Sequence, residues 1–157
     1  MTAQETSVLR AQPFLRGLPD EQLAKIAAVC THVAVPARHR LFEEGETADR
    51  FWLIDAGQVT LDATIPGRGR LIIETLGRGD IVGLSWLLPP YQWGFGAITA
   101  QPMQAFEFDA RAVRAACEGD PALGYEFTRR FCAAVVRRLQ ATRARLLETC
   151  ELPERAP

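Results

Sequence analysis

Residues 43–59 read EEGETADRFWLIDAGQV, and this stretch decides the fold. Apolar side chains alternate onto both faces of the run 49–55, which predicts a strand. Acidic residues and Gly45 precede the run, and Gly57 follows it. Glycine adopts positive φ without steric cost, so both glycines are expected where the chain reverses. The stretch therefore predicts a turn, a strand and a second turn.

Further short strands lie on both sides of this stretch. The sequence Pro66-Gly67-Arg68-Gly69 is a tight turn between two alternating runs, which is typical of a β-hairpin. Short strands at regular spacing, separated by glycine turns, favour an all-β roll, barrel or sandwich at residues 33–109. The predicted strands are 33–35, 49–55, 58–65, 70–76, 97–100 and 104–108.

Helical patterns flank the β region. Residues 7–31 are predicted to form two N-terminal helices, the second starting with a proline and two acids. Asp109 is a suitable N-cap for a short helix, and Asp120 followed by Pro121 is a suitable start for a long one. The two helices are predicted to occupy residues 110–150.

The long helix carries an apolar stripe on one face. The stripe consists of Leu123, Phe127, Phe131, Val135, Leu139, Thr142 and Leu146, at steps of mostly four residues. Residues 151–157 contain two prolines and are expected to be a disordered tail. The predicted fold is thus mainly β with flanking helices: a jelly-roll-like β-roll with N-terminal helices and a long C-terminal helix.

The composition is that of an ordinary globular domain. The chain has 157 residues, 48% of them hydrophobic and 24% charged, with a formal net charge of -1. The N-terminal sequence MTAQETSVLR lacks the regions of a signal peptide, and no apolar run approaches the ~20 residues of a membrane span. We expect a cytoplasmic protein, without membrane attachment, whose four cysteines stay reduced.

The sequence offers few candidate residues for metal-dependent or nucleophilic catalysis. The two histidines, His32 and His39, are expected at a helix end and a strand edge, too few for a jelly-roll metal centre. The cysteines Cys30, Cys117, Cys132 and Cys150 lie far apart, so no CxxC pair or iron–sulfur pattern is present. We predict no enzyme, no catalytic residues, no metal and no cofactor.

The order of helices, β-roll and long helix resembles the cyclic nucleotide-binding domain family, as in the ligand-sensing half of catabolite-activator or Crp-Fnr-type regulators. The residues that carry the resemblance are those of 43–59: acid-Gly-acid, polar residues, an aromatic-aliphatic strand, then Gly-x-Val. In such regulators a helix-turn-helix domain follows the long helix. This chain ends within ten residues of that helix, so we expect no sequence-specific nucleic-acid binding.

The resemblance implies a phosphate-binding cassette at residues 79–100. Such a cassette has a Gly-Glu-aliphatic start, a helical turn whose amides face the phosphate, and an Arg-Ser or Arg-Ala pair. Here Asp80 replaces the glutamate, the pair falls on Gly94-Phe95, and no arginine or lysine occurs from Ile81 to Ala110. The predicted ligand-binding residues are Gly79, Asp80, Ile81, Val82, Gly83, Leu84, Ser85, Trp93 and Phe95.

Three functions are compatible with this altered cassette. We predict a regulatory sensor that binds a small ligand other than cyclic AMP and signals through its C-terminal helix. An alternative is a ligand-free protein-interaction or dimerisation domain whose pocket is filled by aromatic side chains. The least favoured is a fragment of a weakly cyclic-nucleotide-responsive transcription regulator.

The resemblance also implies a parallel homodimer that pairs through the long helix. The predicted dimer-interface residues are Phe131, Val135, Leu139 and Leu146. The stripe could instead pack on its own β-roll, and its first turns could do so while the later ones meet a partner. Arginines such as Arg137 and Arg138 are expected to be exposed beside it, where they would repel across a tight seam.

Overall fold

The computed structural model describes residues 1–150, so the expected disordered tail at 151–157 lies outside the described residues. The chain begins with helix α1 (Ala3–Ala11). A capping box starts it: the Thr2 hydroxyl accepts from the Glu5 amide at 3.1 Å, and the Glu5 carboxylate accepts from the Thr2 amide at 2.6 Å. This box places the helix start four residues earlier than the sequence pattern predicted.

A 3-10 turn, Pro13–Leu15, and helix α2 (Asp20–Ala27) complete the N-terminal layer. Two acids in the first turn of α2 and Lys25 in its last turn follow the preference of the helix dipole. The first strand begins at Cys30 and not at Val33. His32 therefore lies within a strand and not at a helix end, as we had expected.

Within residues 1–150 the chain forms eight strands. They are β1 (Cys30–Val35), β2 (Arg40–Phe42), β3 (Arg50–Ala56), β4 (Val59–Ile65), β5 (Gly69–Leu76), β6 (Ile81–Val82), β7 (Gly96–Thr99) and β8 (Met103–Asp109). One antiparallel sheet has the order β1-β8-β3-β6 and the other β2-β7-β4-β5. Together with the helices, this confirms the predicted fold class.

The stretch that decided the fold forms the centre of the first sheet. Strand β3 pairs with β8 on one side and β6 on the other, and its residues from Phe51 to Ile54 are all buried. Phe51 faces the helices, whereas Trp52 stacks on Phe42 of the second sheet with ring centroids 5.8 Å apart. Gly57 has φ +93°, and a Cβ there would lie 2.2 Å from the Pro102 carbonyl oxygen, so only glycine fits this turn.

Two helices close the structure: α3 (Ala110–Gly119) and α4 (Pro121–Thr149). The Asp109 carboxylate caps α3 through the Ala112 amide at 2.8 Å, and the Asp120 carboxylate caps α4 through the Leu123 amide at 3.2 Å. The 29 residues of α4 extend for about 43 Å. No helix in residues 1–150, α4 included, combines the length and the apolar character of a membrane span.

The inner face of α4 differs from the predicted stripe. Its buried residues are Leu123, Phe127, Phe131 and Ala134. A step of four residues turns a helix by 400°, so each such step rotates the stripe by 40° away from the roll. Leu139 and Leu146 are therefore exposed, whereas Phe131, only 2% exposed, is buried in its own chain. Phe131 is not an interface residue, and that part of the predicted dimer contact is wrong.

Candidate ligand-binding site

The first half of the cassette is a tight turn followed by a core strand. The Gly79 amide donates to the Ile54 carbonyl at 2.8 Å, and the Asp80 carboxylate accepts from the Gly77 amide at 2.9 Å. Strand β6 then buries the side chains of Ile81 and Val82 in the core. Val82 lies in the core, which corrects the prediction for it, Ile81 lines only a small cavity of about 240 Å³, and the Asp80 carboxylate is held within its own turn.

The second half of the cassette contains no helix between residues 83 and 95, all of which the structure describes. The helical turn that the resemblance implies is replaced by irregular turns around two indole rings. Trp86 is buried on Phe51, with ring centroids 4.4 Å apart, and Trp93 stacks on Phe42 at 3.9 Å. Both rings add to the core, so this segment is held by packing.

Gly83 allows the Trp93 ring to reach this position. A Cβ at Gly83 would lie 2.6 Å from the Trp93 ring, and Gly83 has φ +95°. The indole therefore lies directly on the backbone of the cassette. Part of the volume beside the cassette is consequently filled by an aromatic ring of the chain itself.

Beside Trp93 a cavity of about 350 Å³ remains between the cassette and α4. Among the predicted ligand-binding residues, those that line it are Gly83, Leu84, Ser85, Trp93 and Phe95. Gly79, Asp80 and Ile81 instead line a separate cavity of about 240 Å³ on the other side of Arg138. The structure thus brings together five of the nine predicted residues.

The opposite wall of the 350 Å³ cavity comes from α4. The helix contributes Val135, Arg138, Leu139 and Thr142, and the roll contributes Phe42, Leu61, Ile73 and Glu74. The lining is mostly apolar, with a few converging polar groups, as is usual for small-molecule sites. Because both the cassette and α4 form its walls, an occupant would contact both at once.

A cleft of about 410 Å³ lies beside α1, and two still larger clefts, of about 540 and 630 Å³, lie on the β-roll. Charged side chains that line both clefts bind one another: Arg50 contacts Asp49 and Glu107, each at 3.2 Å. Arg114, in the smaller of the two, lies 4.3 Å from the centre of the Tyr91 ring and donates to the Trp86 carbonyl. These polar groups already have partners within the chain, so we favour the apolar cavity as the candidate site.

Arg138 is the functional residue that the sequence did not identify. Its guanidinium donates to the Ile81 carbonyl and forms no ion pair with any carboxylate of residues 1–150. Burial lowers the pKa of Arg138 from its ordinary value, while Glu74 and Asp80 act in the opposite direction. Its spacing from the buried Phe131 and Ala134 is helical and could have revealed it.

Two other α4 arginines attach the helix to the rest of the chain, and a third forms an ion pair within the helix. Arg130 donates to the carbonyls of Phe14 and Arg16, Arg145 donates to the Ile73 carbonyl at 3.1 Å, and Arg129 pairs with Glu126 at 3.0 Å. The basic composition of the helix thus has a structural use.

The junction of α3 and α4 is tied to the N-terminal layer. Lys25 of α2 binds the Asp120 carboxylate at 2.7 Å, and Asp120 is also the N-cap of α4. The Lys25 ammonium and the Leu123 amide hold the pKa of Asp120 below its usual value. This contact with α2 would therefore restrain a movement of α4 about the junction.

The histidines and cysteines do not assemble into a metal centre in residues 1–150. Cys30 lies in β1, and burial raises its pKa to about 12. Cys132, in contrast, is exposed. A thiol with a raised pKa is unreactive, as expected for a packing residue.

The fold and the cavity together define a class of protein: a double-sheet β-roll whose cassette cavity is closed by a C-terminal helix. The sequence model of the Cyclic nucleotide-binding domain family matches residues 32–120, and the chain belongs to this family. Domains of this family are regulatory. The resemblance noted from residues 43–59 is therefore confirmed.

Known relatives agree with this assignment. A CRP-like cAMP-activated global transcriptional regulator of Mycobacterium tuberculosis is 23% identical over 141 residues, which are 90% of this chain and 61% of the regulator. This chain thus spans about three fifths of the length of that relative.

Solved structures show the same fold. A Geobacter metallireducens protein described as cyclic nucleotide-binding has a TM-score of 0.78 and 29% identity, with 88% of this chain and 99% of that chain covered. A cyclic nucleotide-binding domain from Methylobacillus flagellatus has a TM-score of 0.79 and 19% identity, with 95% and 84% covered.

Proposed function

We propose that this chain is a regulatory sensor module that binds a small ligand other than a cyclic nucleotide and signals through α4. The observation that carries the proposal is the cavity of about 350 Å³ whose two walls are the cassette and α4. A ligand there would contact both elements and so bias the position of the helix. The reducing conditions of the cytoplasm, where we propose that it acts, would suit its free cysteines.

A search with small molecules tests the proposal directly. Thermal-shift and calorimetric titrations should cover nucleotides and compact apolar metabolites, and at least one compound of the second group is expected to stabilise the protein. The proposal fails if no compound binds and a crystal structure shows Trp93 and Phe95 filling the cavity.

Three features of the cassette argue against a cyclic nucleotide. Gly94-Phe95 stands where the resemblance places the phosphate-binding arginine, and the Asp80 carboxylate is engaged with the Gly77 amide. The Trp93 ring fills space directly beside the cassette backbone. Losing one charge-assisted pair costs about 2–5 kcal/mol, which is tens- to thousands-fold in affinity.

Cyclic AMP is accordingly expected to bind with a Kd weaker than about 100 µM, or not at all, by isothermal titration calorimetry. The double variant Gly94→Arg and Phe95→Ala restores the arginine-alanine pair at exposed positions, and it should bind cyclic AMP more tightly than the wild type. Sub-micromolar binding by the wild type would show that another group replaces the arginine.

A ligand-free dimerisation or protein-interaction domain is the second candidate. It is favoured by three exposed apolar residues of α4: Val135 and Leu139, which also line the cavity, and Leu146, which does not and is 62% exposed. Exposed apolar patches of this kind commonly mark contact sites with other chains. We propose a homodimer through these residues, and a different protein partner would use the same surface.

Leu146→Glu tests the dimer because Leu146 does not line the cavity. A homodimer would place the new charge in its apolar seam, so the apparent mass on a sizing column should fall by about half. Ala144→Glu is the matched control, since its side chain lies 200° around the helix. If Leu146→Glu elutes at the same mass as the wild type, whether dimeric or monomeric, Leu146 is not an interface residue.

A further inference from the structure

We infer that Arg138 is the anion-binding group of the cavity and that the ligand is a compact monocarboxylate with an apolar body. This inference rests on the proposed function, because it names the ligand class of the same cavity. The cation missing from the cassette would then be supplied by α4. Arg138 would then both bind the ligand and connect it to the signalling helix.

The hydrogen bonds of Arg138 leave it free to bind an anion. A guanidinium has five N–H groups, and a single one of them donates to an acceptor within residues 1–150, the Ile81 carbonyl. The side chain is half-buried, and no carboxylate of the described residues pairs with it. A half-buried cation with unused donors is costly, and a carboxylate that accepts two of them in a fork would offset that cost.

The cavity limits both the charge and the size of such a ligand. Arg138 is the one cation among the residues that line the cavity, and Glu74 lines it as well. The Glu74 carboxylate would repel a second negative charge on the ligand. A volume of about 350 Å³ is near the lower end of small-molecule sites and admits a body of one or two rings or a short branched chain. The apolar side chains of Leu84, Phe95 and Val135 would surround that body.

Donors on the cassette side complete the site. The backbone amides of Gly83, Leu84 and Ser85 donate to no acceptor within the described chain, and all three residues line the cavity. They could bind a second polar atom of the ligand. Asp80, the acid of the cassette, lies outside this cavity.

Arg138 would also couple the ligand to the helix. Its hydrogen bond to the Ile81 carbonyl joins α4 to β6, and Thr142 donates to the Arg138 carbonyl one turn later at 2.9 Å. A carboxylate held by the remaining N–H groups would add contacts that exist only when α4 covers the cassette. Ligand binding would therefore stabilise the closed position of α4.

Matched pairs of acids and amides test the inference. Calorimetry would compare indole-3-acetate and 3-phenylpropanoate with their neutral amides, using the wild type, Arg138→Gln and the exposed control Arg143→Gln. We expect the better-fitting acid to bind the wild type and Arg143→Gln at least about tenfold more tightly than its amide. Arg138→Gln should lose this preference and retain amide binding, which also shows that its cavity is intact.

A second measurement follows the helix. Hydrogen exchange of the amides from Val135 to Thr142 should slow on addition of the acid in the wild type, but not in Arg138→Gln. If acids and amides bind the wild type equally, the cavity is a ligand site but Arg138 is not its anion-binding group. If no acid and no amide binds the wild type, this inference is wrong, whereas the proposed function is decided by the wider titrations and the crystal structure described above.

Discussion

Replacing Phe131 with alanine is expected to lower the free energy of unfolding by about 3–5 kcal/mol. The Phe131 ring, 2% exposed, lies where α4, the N-terminal turn and the first sheet meet. Its centroid is 4.9 Å from that of Phe14, 5.0 Å from Trp86 and 5.5 Å from Phe51. Because rings from three elements surround it, the structure cannot collapse into the cavity that alanine would leave.

Urea unfolding followed by circular dichroism measures this effect. Leu147→Ala is a control on the same helix: Leu147 is 73% exposed, so its replacement should change the unfolding free energy by less than about 0.5 kcal/mol. If Phe131→Ala keeps its stability and only disrupts a dimer, Phe131 is an interface residue and not a core residue. Loss of stability with an unchanged elution profile would support the core position.

Replacing Arg40 with methionine is expected to destabilise the protein by about 3 kcal/mol. Arg40 binds Asp62 at 2.7 Å, and Asp62 is 7% exposed. A Cβ at Gly96 would lie 2.4 Å from the Asp62 carboxylate, so the strand that ends the cassette packs directly on this ion pair. The expected loss of stability is at the lower end of the range for breaking a buried ion pair, because Arg70 remains 4.0 Å from Asp62.

Two further variants separate the buried charge from the loss of the arginine stem. Arg70→Met, at a half-exposed position paired with Glu43, should cost less than about 1 kcal/mol. The double variant Arg40→Met with Asp62→Asn removes the unpaired charge and should recover part of the loss, as a double-mutant cycle would show. An equal loss with and without Asp62→Asn would contradict an electrostatic role for the pair.

The fold could be predicted because its signals are local. Positive φ at Gly45 and Gly57, the run around Phe51 and the helix starts at Asp109 and Asp120 each depend on a few neighbouring residues. The errors are the two short strands β2 and β6, which were not predicted, and the element boundaries, where single hydrogen bonds decide. The capping box at Thr2 moved the start of α1, and pairing with β8 extended β1 back to Cys30.

The candidate site was predictable only in part. The cassette residues Gly83 to Ser85, Trp93 and Phe95 follow from the resemblance, and the structure brings them to one cavity. The side chains of Ile81 and Val82 do not reach it, because pairing of β6 with β3 turns them into the core. Whether a cassette side chain faces a ligand or the core depends on strand register, which one sequence does not specify.

The absence of the phosphate-binding arginine from the cassette separates what the sequence determines from what the tertiary structure determines. The sequence by itself determined the fold class and the absence of a cation from Ile81 to Ala110. Only the tertiary structure decided that a cation is nevertheless present, because α4 packs across the cassette and carries Arg138 into its cavity. The same packing buries Phe131 and exposes Leu139, since the pitch of the helix turns successive residues away from the roll. Contacts between segments far apart in the chain decide these positions.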